Sequence, residues 1–521
     1  MVCRDNLPLS TSEHEGFKRF VKKAVPQYKL PCRTTLTRMI DTKYEFFKKI
    51  SMAEFATLKS VTLTCDIWTE DQTKQSYLGI TVHYLPDSGS DDEICSANIG
   101  VVPLSESHTS AYIAKVICES LSDWNISTDS ISLMVTDNGA NMVAAAREVF
   151  GSSRHIGCIG HTLNLIVTQA VAASPALETV IQKVKSIVTF FKNSVTASDN
   201  SKKMQLVNGK TEGTLLKLIQ DVETRWNSKY QMMERFVALA DLISAVLLKL
   251  GNTGRDMLTG SELAIIKEAI KLLKPIFRAT EELSAEKYTS TSKVIPICYI
   301  MRQVRLATFQ TSFEYIRDRT TQQFDWPAKT KLAAWDGQTL RNVERVHVYS
   351  ISTLLDPRFK RLHFSSALTQ SEAIQHVSNM MKANLRTSEP EARVSVQKNL
   401  SAQIDPDDFW SIHDSIIAAT PSVPGHDAPG GIPIELRQFL NTPTVLRTTN
   451  PITECRRLKV EYPCLSQIAF KYLSMVATSV PAERLFFKAG SIVTKQRNRL
   501  LGKRISKLLF LGSLSEDRWF K

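Results

Sequence analysis

The stretch from Val61 to Ala172 restricts the fold more than any other part of the chain, because its apolar pattern alternates between the period of a strand and that of a helix. It predicts three consecutive strands, then helix, strand, helix, strand and helix. The first strand, Val61–Cys65, and the fourth, Ile131–Val135, are β-branched and apolar, as buried strands are. The second, Leu78–Tyr84, alternates apolar and polar residues, which is typical of a half-exposed strand. We expect a mixed sheet flanked by helices.

This order of elements is that of a ribonuclease-H-like fold, in which the first and fourth strands are neighbours. Asp66 follows the first strand and Asp137 follows the fourth, so we expect the two to lie side by side. A helix after the fifth strand can supply a third acid. Pro481 fits the first turn of such a helix and places Glu483 near its start. Three convergent carboxylates make a site for divalent cations, and paired cations are a common means of breaking and rejoining phosphodiesters.

Bulk composition limits the classes of protein that fit. The chain has 521 residues, enough for two or more domains, and its 43% hydrophobic and 22% charged content is that of a soluble globular protein. No apolar run approaches the roughly 18 residues of a membrane helix, so no membrane partner is expected. The N-terminus lacks the basic-then-apolar order of a signal peptide. Nine scattered cysteines, an odd number, argue against a disulfide framework and favour a reducing compartment.

The net charge of +13 favours a polyanionic partner. Part of this charge lies near the C-terminus, where eight basic residues occur without an acid: Arg484, Lys488, Lys495, Arg497, Arg499, Lys503, Arg504 and Lys507. A solvated face of a terminal helix is one interpretation. Contact with phosphates is the interpretation we favour, because the cluster is one-sided and adjoins Glu483.

The pattern divides the chain into four parts. Residues 1–57 form an N-terminal helical region and residues 58–178 the first part of the sheet domain. Residues 179–459 are predominantly helical, which predicts a large all-α insertion in an α/β chain. Within it, Ser, Pro, Asp and Gly are abundant near 386–432, as in a flexible loop. Residues 460–521 return to strong helix signals.

Short motifs occur along the chain in a fixed order: Asp66–Thr69, Ser76–Gly79, His108–Thr109, Thr136–Met142, Cys158–Leu165, Thr224–Ser228, Leu355–Arg358, Ser479–Gly490 and Arg497–Leu500. Each is weak alone, but their order and spacing resemble the hAT superfamily of DNA transposases, especially its BED-finger-associated and Ac-like members. The resemblance implies a ribonuclease-H-like catalytic domain split by a helical insertion. It also implies that the C-terminal segment completes the catalytic domain and provides dimerisation contacts.

By this resemblance the acid triad of the family maps onto Asp66, Asp137 and Glu483, which would hold two Mg²⁺ or Mn²⁺ ions. Such a pair clamps the attacking and leaving oxygens of an in-line displacement. Taken singly, the three acids read as a strand-end residue, a turn residue and a first-turn helix acid. The catalytic interpretation therefore rests on the three together.

Two further motifs leave alternatives open. By resemblance, Trp226 would stack on a base near the cleaved end and Arg225 would hold a phosphate, while a core tryptophan joining the insertion to the catalytic domain is the alternative. Cys158 and His161 resemble half of a zinc site that no second pair completes, so no zinc site is predicted. His161 is interpreted as an active-site residue or a neighbour of one, with a buried structural histidine as the alternative. Trp68 is expected to pack in the core behind Asp66.

Two functions follow from these features. The first is a hAT-type transposase or transposase-derived protein that binds DNA in the nucleus as a homodimer or larger oligomer and, if active, cleaves DNA and transfers strands. The alternative is a domesticated, catalytically silent dimeric regulator of transcription or chromatin. No BED finger precedes Leu7, and Phe487 stands where a serine is common in the family, which favours the alternative. The apolar run Leu508–Leu511 predicts core closure, a dimer face, or both at once.

Overall fold

The computed structural model describes the chain from Val2 onward except for residues 71–73, 87–91, 223–225, 252–254, 285–288, 304–339, 386–409, 411–415, 417–431, 493–501, 515–517 and 520–521. Two helices lie in the N-terminal region predicted to be helical, α1 (Glu15–Ala24) and α2 (Arg33–Thr57). The next elements form a sheet with its flanking helices, in the order β1 (Val61–Thr69), β2 (Ser76–Tyr84), β3 (Cys95–Leu104), α3 (Ser110–Asp123), β4 (Ile131–Thr136), α4 (Ala140–Phe150), β5 (His155–Gly157) and α5 (Ile159–Ala172). The predicted order of strands and helices is thus confirmed.

The five strands form one mixed sheet in the order β3-β2-β1-β4-β5. β1 pairs antiparallel with β2 and parallel with β4, and β4 pairs parallel with β5. The predicted neighbourhood of the first and fourth strands is therefore confirmed. The β1–β4 ladder ends at Cys65 and Thr136, so Asp66 and Asp137 each follow the last paired residue.

Two details of the strands differ from the sequence-based expectations. Asp66 does not end β1, because the hairpin with β2 continues the strand to Thr69, and Asp66 itself pairs with Gly79. β2 is not half-exposed, since every residue from Tyr77 to Tyr84 is buried. The face that carries Gly79 and His83 was expected to meet solvent, but a later helix and polar side chains of the neighbouring strands cover it.

The insertion is built of helices, as predicted: α6 (Pro175–Asn193), α7 (Val195–Val207), α8 (Trp226–Ala238), α9 (Ala240–Leu250), α10 (Gly260–Leu283), α11 (Leu340–Arg345), α12 (His347–Leu355), α13 (Ala367–Leu385), α14 (Ile434–Asn441) and α15 (Pro451–Leu458). A further helix of the insertion is described over 294–303. The loop predicted near 386–432 lies almost wholly outside the described residues. Within it, Trp410 is buried and stacks on Phe359 at a ring distance of 5.8 Å.

The C-terminal part contributes α16 (Pro463–Leu473), α17 (Val480–Ile492) and α18 (Gly502–Ser513). Residues Leu508–Leu511 are at most 5% exposed and belong to the core around the sheet, as the core-closure interpretation expected. Asp41 on α2 accepts hydrogen bonds from Arg504 at 2.8 Å and Lys507 at 2.9 Å. Two members of the basic cluster are thus engaged by the N-terminal helix.

A polar cluster lies inside the sheet at His83. Its Nε2 is 3.0 Å from the Thr64 hydroxyl on β1, and its Nδ1 is 2.9 Å from the Ser96 hydroxyl on β3. The imidazole is fully buried, and this burial lowers the pKa of His83 to about 3. The hydroxyl groups satisfy both ring nitrogens of a neutral histidine.

Among the described helices, no single one is long and apolar enough to cross a membrane. The bent pair Ile159–Ala172 and Pro175–Asn193, which meet at 102°, passes that test only when joined and only by length and composition.

Acid is expected to destabilise the fold through His83. Its pKa falls from 6.5 to about 3 in the folded protein, so between these values the unfolded chain binds the additional proton. Stability that is present above pH 6.5 is therefore lost as the pH falls toward 3. At pH 4, the contribution of His83 to this loss in the free energy of unfolding is about 3 kcal/mol. Denaturant unfolding between pH 7 and pH 4 measures the loss.

The variant His83→Gln is expected to lose less stability over this interval than the wild type. The control is His14→Gln, at an exposed position before α1, which is expected to keep the wild-type slope. Identical pH dependence of wild type and His83→Gln would contradict the role of His83.

Candidate functional site

Asp66 and Asp137 lie at the same edge of the sheet because β1 and β4 run parallel and leave their ladder together. The Asp66 carboxylate accepts a hydrogen bond from the backbone N–H of Ile67 at 2.8 Å. The Asp137 carboxylate accepts one from Gly139 at 3.2 Å, just before α4 begins. Both side chains are only partly buried, so they remain accessible at this edge.

Glu483 reaches this edge from the far end of the chain. It lies in the first turn of α17, and Pro481 precedes it in that turn, as predicted. The carbonyl of Ser479 accepts hydrogen bonds from the backbone N–H groups of Ala482 at 2.9 Å and Glu483 at 3.3 Å. The predicted helix start at Pro481 is therefore confirmed.

The three acids influence one another electrostatically. Burial, together with the negative charges of Asp137 and Glu483, raises the pKa of Asp66 to about 7. Both acids therefore lie near enough to act on Asp66. Over the residues that the structure describes, no group of three or more His, Cys, Asp or Glu side chains has the spacing of metal ligands.

The donor set is nevertheless of the type that Mg²⁺ and Mn²⁺ bind. Carboxylate oxygens are hard ligands, and Mg²⁺ commonly uses only one or two of them together with water and substrate phosphates. A bound cation would relieve the repulsion that raises the pKa of Asp66. The three acids match such a cation in the type of donor atom that they offer.

Cys158 forms a structural junction beside the acids. Its buried sulfur accepts hydrogen bonds from the backbone N–H groups of His161 at 3.4 Å and Ser479 at 3.3 Å. It caps the start of α5 and joins that helix to the segment before α17. Burial raises the pKa of the Cys158 thiol, which disfavours the thiolate that a metal or an electrophile would need. His161 lies in the first turn of α5 and is partly exposed.

Helix α17 packs on the sheet at Gly79, a position to which the sequence pattern gives no such role. A Cβ atom at Gly79 would come within 2.7 Å of the Phe486 ring, so only glycine leaves room for that ring. Trp68 stacks between Phe486 at 5.9 Å and Tyr77 at 5.7 Å. Because Gly79 pairs with Asp66, this contact fixes α17 directly beside the first acid.

Trp226 is 5% exposed, and its ring meets Phe277 edge-on at 6.3 Å. Its backbone N–H donates to the Asn164 side chain on α5 at 3.3 Å. The structure therefore has the core arrangement that joins the insertion to the sheet domain, and stacking on a base would require this ring to move. Its indole N–H has no hydrogen-bond partner among the described residues.

The remaining predicted DNA contacts divide into two groups. Arg484 is exposed but donates to the carbonyl of Ser284, at the C-terminal end of α10, at 2.8 Å. Lys488 is exposed on α17. Four predicted residues lie outside the described part of the chain: Arg225, Lys495, Arg497 and Arg499.

Comparison with known proteins adds two matched regions. Residues 156–290 match the model described as the ZBED1 RNase-like helical domain. Residues 435–514 match the hAT family C-terminal dimerisation region. The first region runs from β5 to a few residues beyond the end of α10, and the second region includes Glu483.

Similar proteins cover nearly the whole chain. It is 24% identical to zinc finger BED domain-containing protein 4 of Homo sapiens, over 98% of this chain and 42% of that protein. It is 23% identical to the "Putative AC transposase" of Zea mays, over 98% of this chain and 63% of that protein. It is 22% identical to the "Putative transcriptional regulator tpeD" of Talaromyces stipitatus, over 98% of this chain and 60% of that protein. The chain thus spans about half the length of these relatives.

Replacing Gly79 by alanine is expected to destabilise the protein by about 1–3 kcal/mol, because the added methyl group overpacks the contact with Phe486. Denaturant unfolding of the full chain measures this. Gly260→Ala is the matched control, since a Cβ atom there meets nothing within 4 Å, and it is expected to leave stability unchanged or slightly higher. Equal stabilities of the two variants would show that Phe486 yields without cost.

Proposed function

We propose that this chain, a relative of the hAT transposases that carries the hAT family C-terminal dimerisation region, has a ribonuclease-H-like catalytic domain that cleaves DNA. One observation carries the proposal: the two strand-edge acids and the helix-borne acid Glu483 act on one another at a single edge of the sheet.

The sheet supports the fold assignment. Its order β3-β2-β1-β4-β5, with antiparallel pairing of the first three strands and parallel pairing of the rest, is that expected for a ribonuclease-H-like domain. A helix from beyond the insertion covers β1 and β2 and brings the third acid. The family relationship adds weight, because the same three residues fall in motifs that resemble those of the family.

The chemistry assigned to the site uses Mg²⁺ or Mn²⁺. When bound, the cations would polarise the scissile phosphate and lower the pKa of the attacking water or hydroxyl. Asp66, Asp137 and Glu483 would hold them. The hydrogen bonds from Ile67 and Gly139 would orient the first two carboxylates, leaving their other oxygens for the cations.

DNA is the proposed partner and the nucleus the proposed location. The net charge of +13 favours a polyanion, and the exposed Lys488 lies on the same helix as Glu483. Arg497 and Arg499 follow that helix in sequence and are proposed to contact the phosphate backbone. Trp226 would join them only after the start of α8 has opened, and Arg225 is proposed to hold a phosphate.

A catalytically silent regulator is the second candidate, and specific contacts favour it. Trp226 is buried and Arg484 is bonded to Ser284, so two of the proposed DNA contacts are engaged within the chain. The carboxylates do not form a ready set of metal ligands among the described residues. One relative carries the name of a transcriptional regulator.

Activity separates the two candidates. Purified full-length protein is expected to nick DNA with Mg²⁺ or Mn²⁺, and Asp66→Ala or Glu483→Ala is expected to abolish nicking by removing a cation ligand. A supercoiled-plasmid relaxation assay measures this. Asp123→Ala, at an exposed acid on α3, is the control and is expected to keep wild-type activity. Identical cleavage by the triad variants would refute the site, whereas no cleavage by the wild type despite DNA binding would favour the regulator.

Self-association is proposed to use the region that matches the dimerisation model. Val460 is 86% exposed within this region, and Val207 is 85% exposed outside it. Val460→Asp is expected to weaken the dimer at least about tenfold, because a desolvated charge at an interface is costly. Val207→Asp is the control and is expected to change nothing. Sedimentation over a concentration series measures both, and equal effects would place the interface elsewhere.

A further inference from the structure

Residues 474–479, here called the 474–479 segment, connect α16 to α17. Each of its residues is at most 4% exposed, although the segment has no regular secondary structure. Buried irregular backbone must find hydrogen-bond partners outside itself. Only three residues separate its end, Ser479, from Glu483, so whatever holds the segment also holds the third acid.

The backbone N–H and carbonyl groups of Ala477 link the insertion to the sheet domain. Its N–H donates to the hydroxyl of Ser290 in the insertion at 2.8 Å. Its carbonyl accepts from the N–H of Ile159, at the start of α5, at 3.1 Å. A single residue thus donates one hydrogen bond to the insertion and accepts one from the start of α5.

The next insertion residue binds the same segment at a second point. The Thr291 hydroxyl lies 3.0 Å from the carbonyl of Met475 and 3.2 Å from that of Tyr472, and it donates to this pair. The Ser352 hydroxyl also donates to the Tyr472 carbonyl, at 3.1 Å. These bonds fix the end of α16 and the beginning of the 474–479 segment.

The turn that carries these hydroxyls is itself fixed from behind. Ser292 donates to the carboxylate of Asp356 at 2.7 Å, and Thr353 donates to the carbonyl of Ser292 at 3.0 Å. Asp356 is fully buried and ion-paired with Arg358 at 2.7 Å. These bonds hold the turn on the side facing away from the 474–479 segment.

On the side of the acids, the segment ends on Cys158. The N–H of Ser479 donates to the cysteine sulfur at 3.3 Å, and the carbonyl of Ser479 begins the turn that contains Glu483. A shift of the segment at Ala477 or Met475 would therefore move Glu483 relative to Asp66. Trp68 and Phe486 contact each other after the first turn of α17. The first turn itself, which contains Glu483, is therefore held by the 474–479 segment.

We propose that Ser290 and Thr291 are positioning residues for Glu483: the insertion aligns the third acid by hydrogen bonds to the 474–479 segment. The proposal rests on the proposed function, because it gives the insertion a part in building the cation site. Neither residue touches the acids, and both act through the backbone.

The test uses full-length protein and two measurements. Hydrogen exchange by mass spectrometry over peptides that cover 474–483 is expected to be at least tenfold faster in Ser290→Ala and in Thr291→Val. Titration with Mn²⁺, followed by the paramagnetic resonance of the free ion, is expected to show a roughly tenfold weaker affinity, as for other residues that orient metal ligands. Thr291→Ser keeps the hydroxyl and is expected to behave as the wild type in both measurements.

Ser120→Ala is the matched control, since this buried serine donates to a backbone carbonyl of its own helix at 2.7 Å, away from the segment. Unchanged exchange over 474–483 in both variants would overturn the proposal, as would faster exchange spread evenly over the insertion. Faster exchange with unaltered Mn²⁺ affinity would also overturn it. If the wild type neither binds Mn²⁺ nor cleaves DNA, the proposed function fails, and exchange alone then decides whether the hydroxyls hold the segment.

Discussion

The docking of α17 on β1 and β2 is the contact on which the candidate site depends. Asp66 and Asp137 are brought together by a sheet that forms from nearby sequence, but Glu483 arrives from the other end of the chain. The contact is close because Gly79 has no side chain and the Phe486 ring occupies that space. Without this seat, two carboxylates would remain at the edge and the third would have no fixed position.

The insertion can be understood as part of this arrangement. Joining two ends of a domain across a long connection costs chain entropy, although the cost grows only slowly with length. The larger requirement is precision, since a carboxylate displaced by about 1 Å serves a cation poorly. The bonds from Ser290 and Thr291 to the 474–479 segment meet this requirement from the insertion side, and Cys158 meets it from the sheet side.

Sequence patterns predicted the sheet well and the contacts between distant parts poorly. The strand order, the neighbourhood of β1 and β4, the helical insertion and the helix start at Pro481 all follow from local periodicity and turn chemistry. The burial of both faces of β2 could not be predicted in this way. His83 is a polar residue, and its burial is understood only once the Thr64 and Ser96 hydroxyls are seen to hydrogen-bond its two ring nitrogens. The packing of Phe486 on Gly79 could not be predicted either, since a glycine in a strand gives no indication of which side chain will approach it.

The contacts between the N-terminal and C-terminal parts of the chain have a consequence for its synthesis. Gly79 and its neighbours emerge from the ribosome early, whereas Phe486 and the α18 residues that pair with Asp41 are made almost last. At about 5–20 residues per second, the sheet waits on the order of tens of seconds with its face at Gly79 uncovered. In a nascent chain, chaperones or the insertion itself therefore need to cover that face. A message that ends a few dozen codons early would yield a protein with an open sheet rather than a shorter version of the same fold.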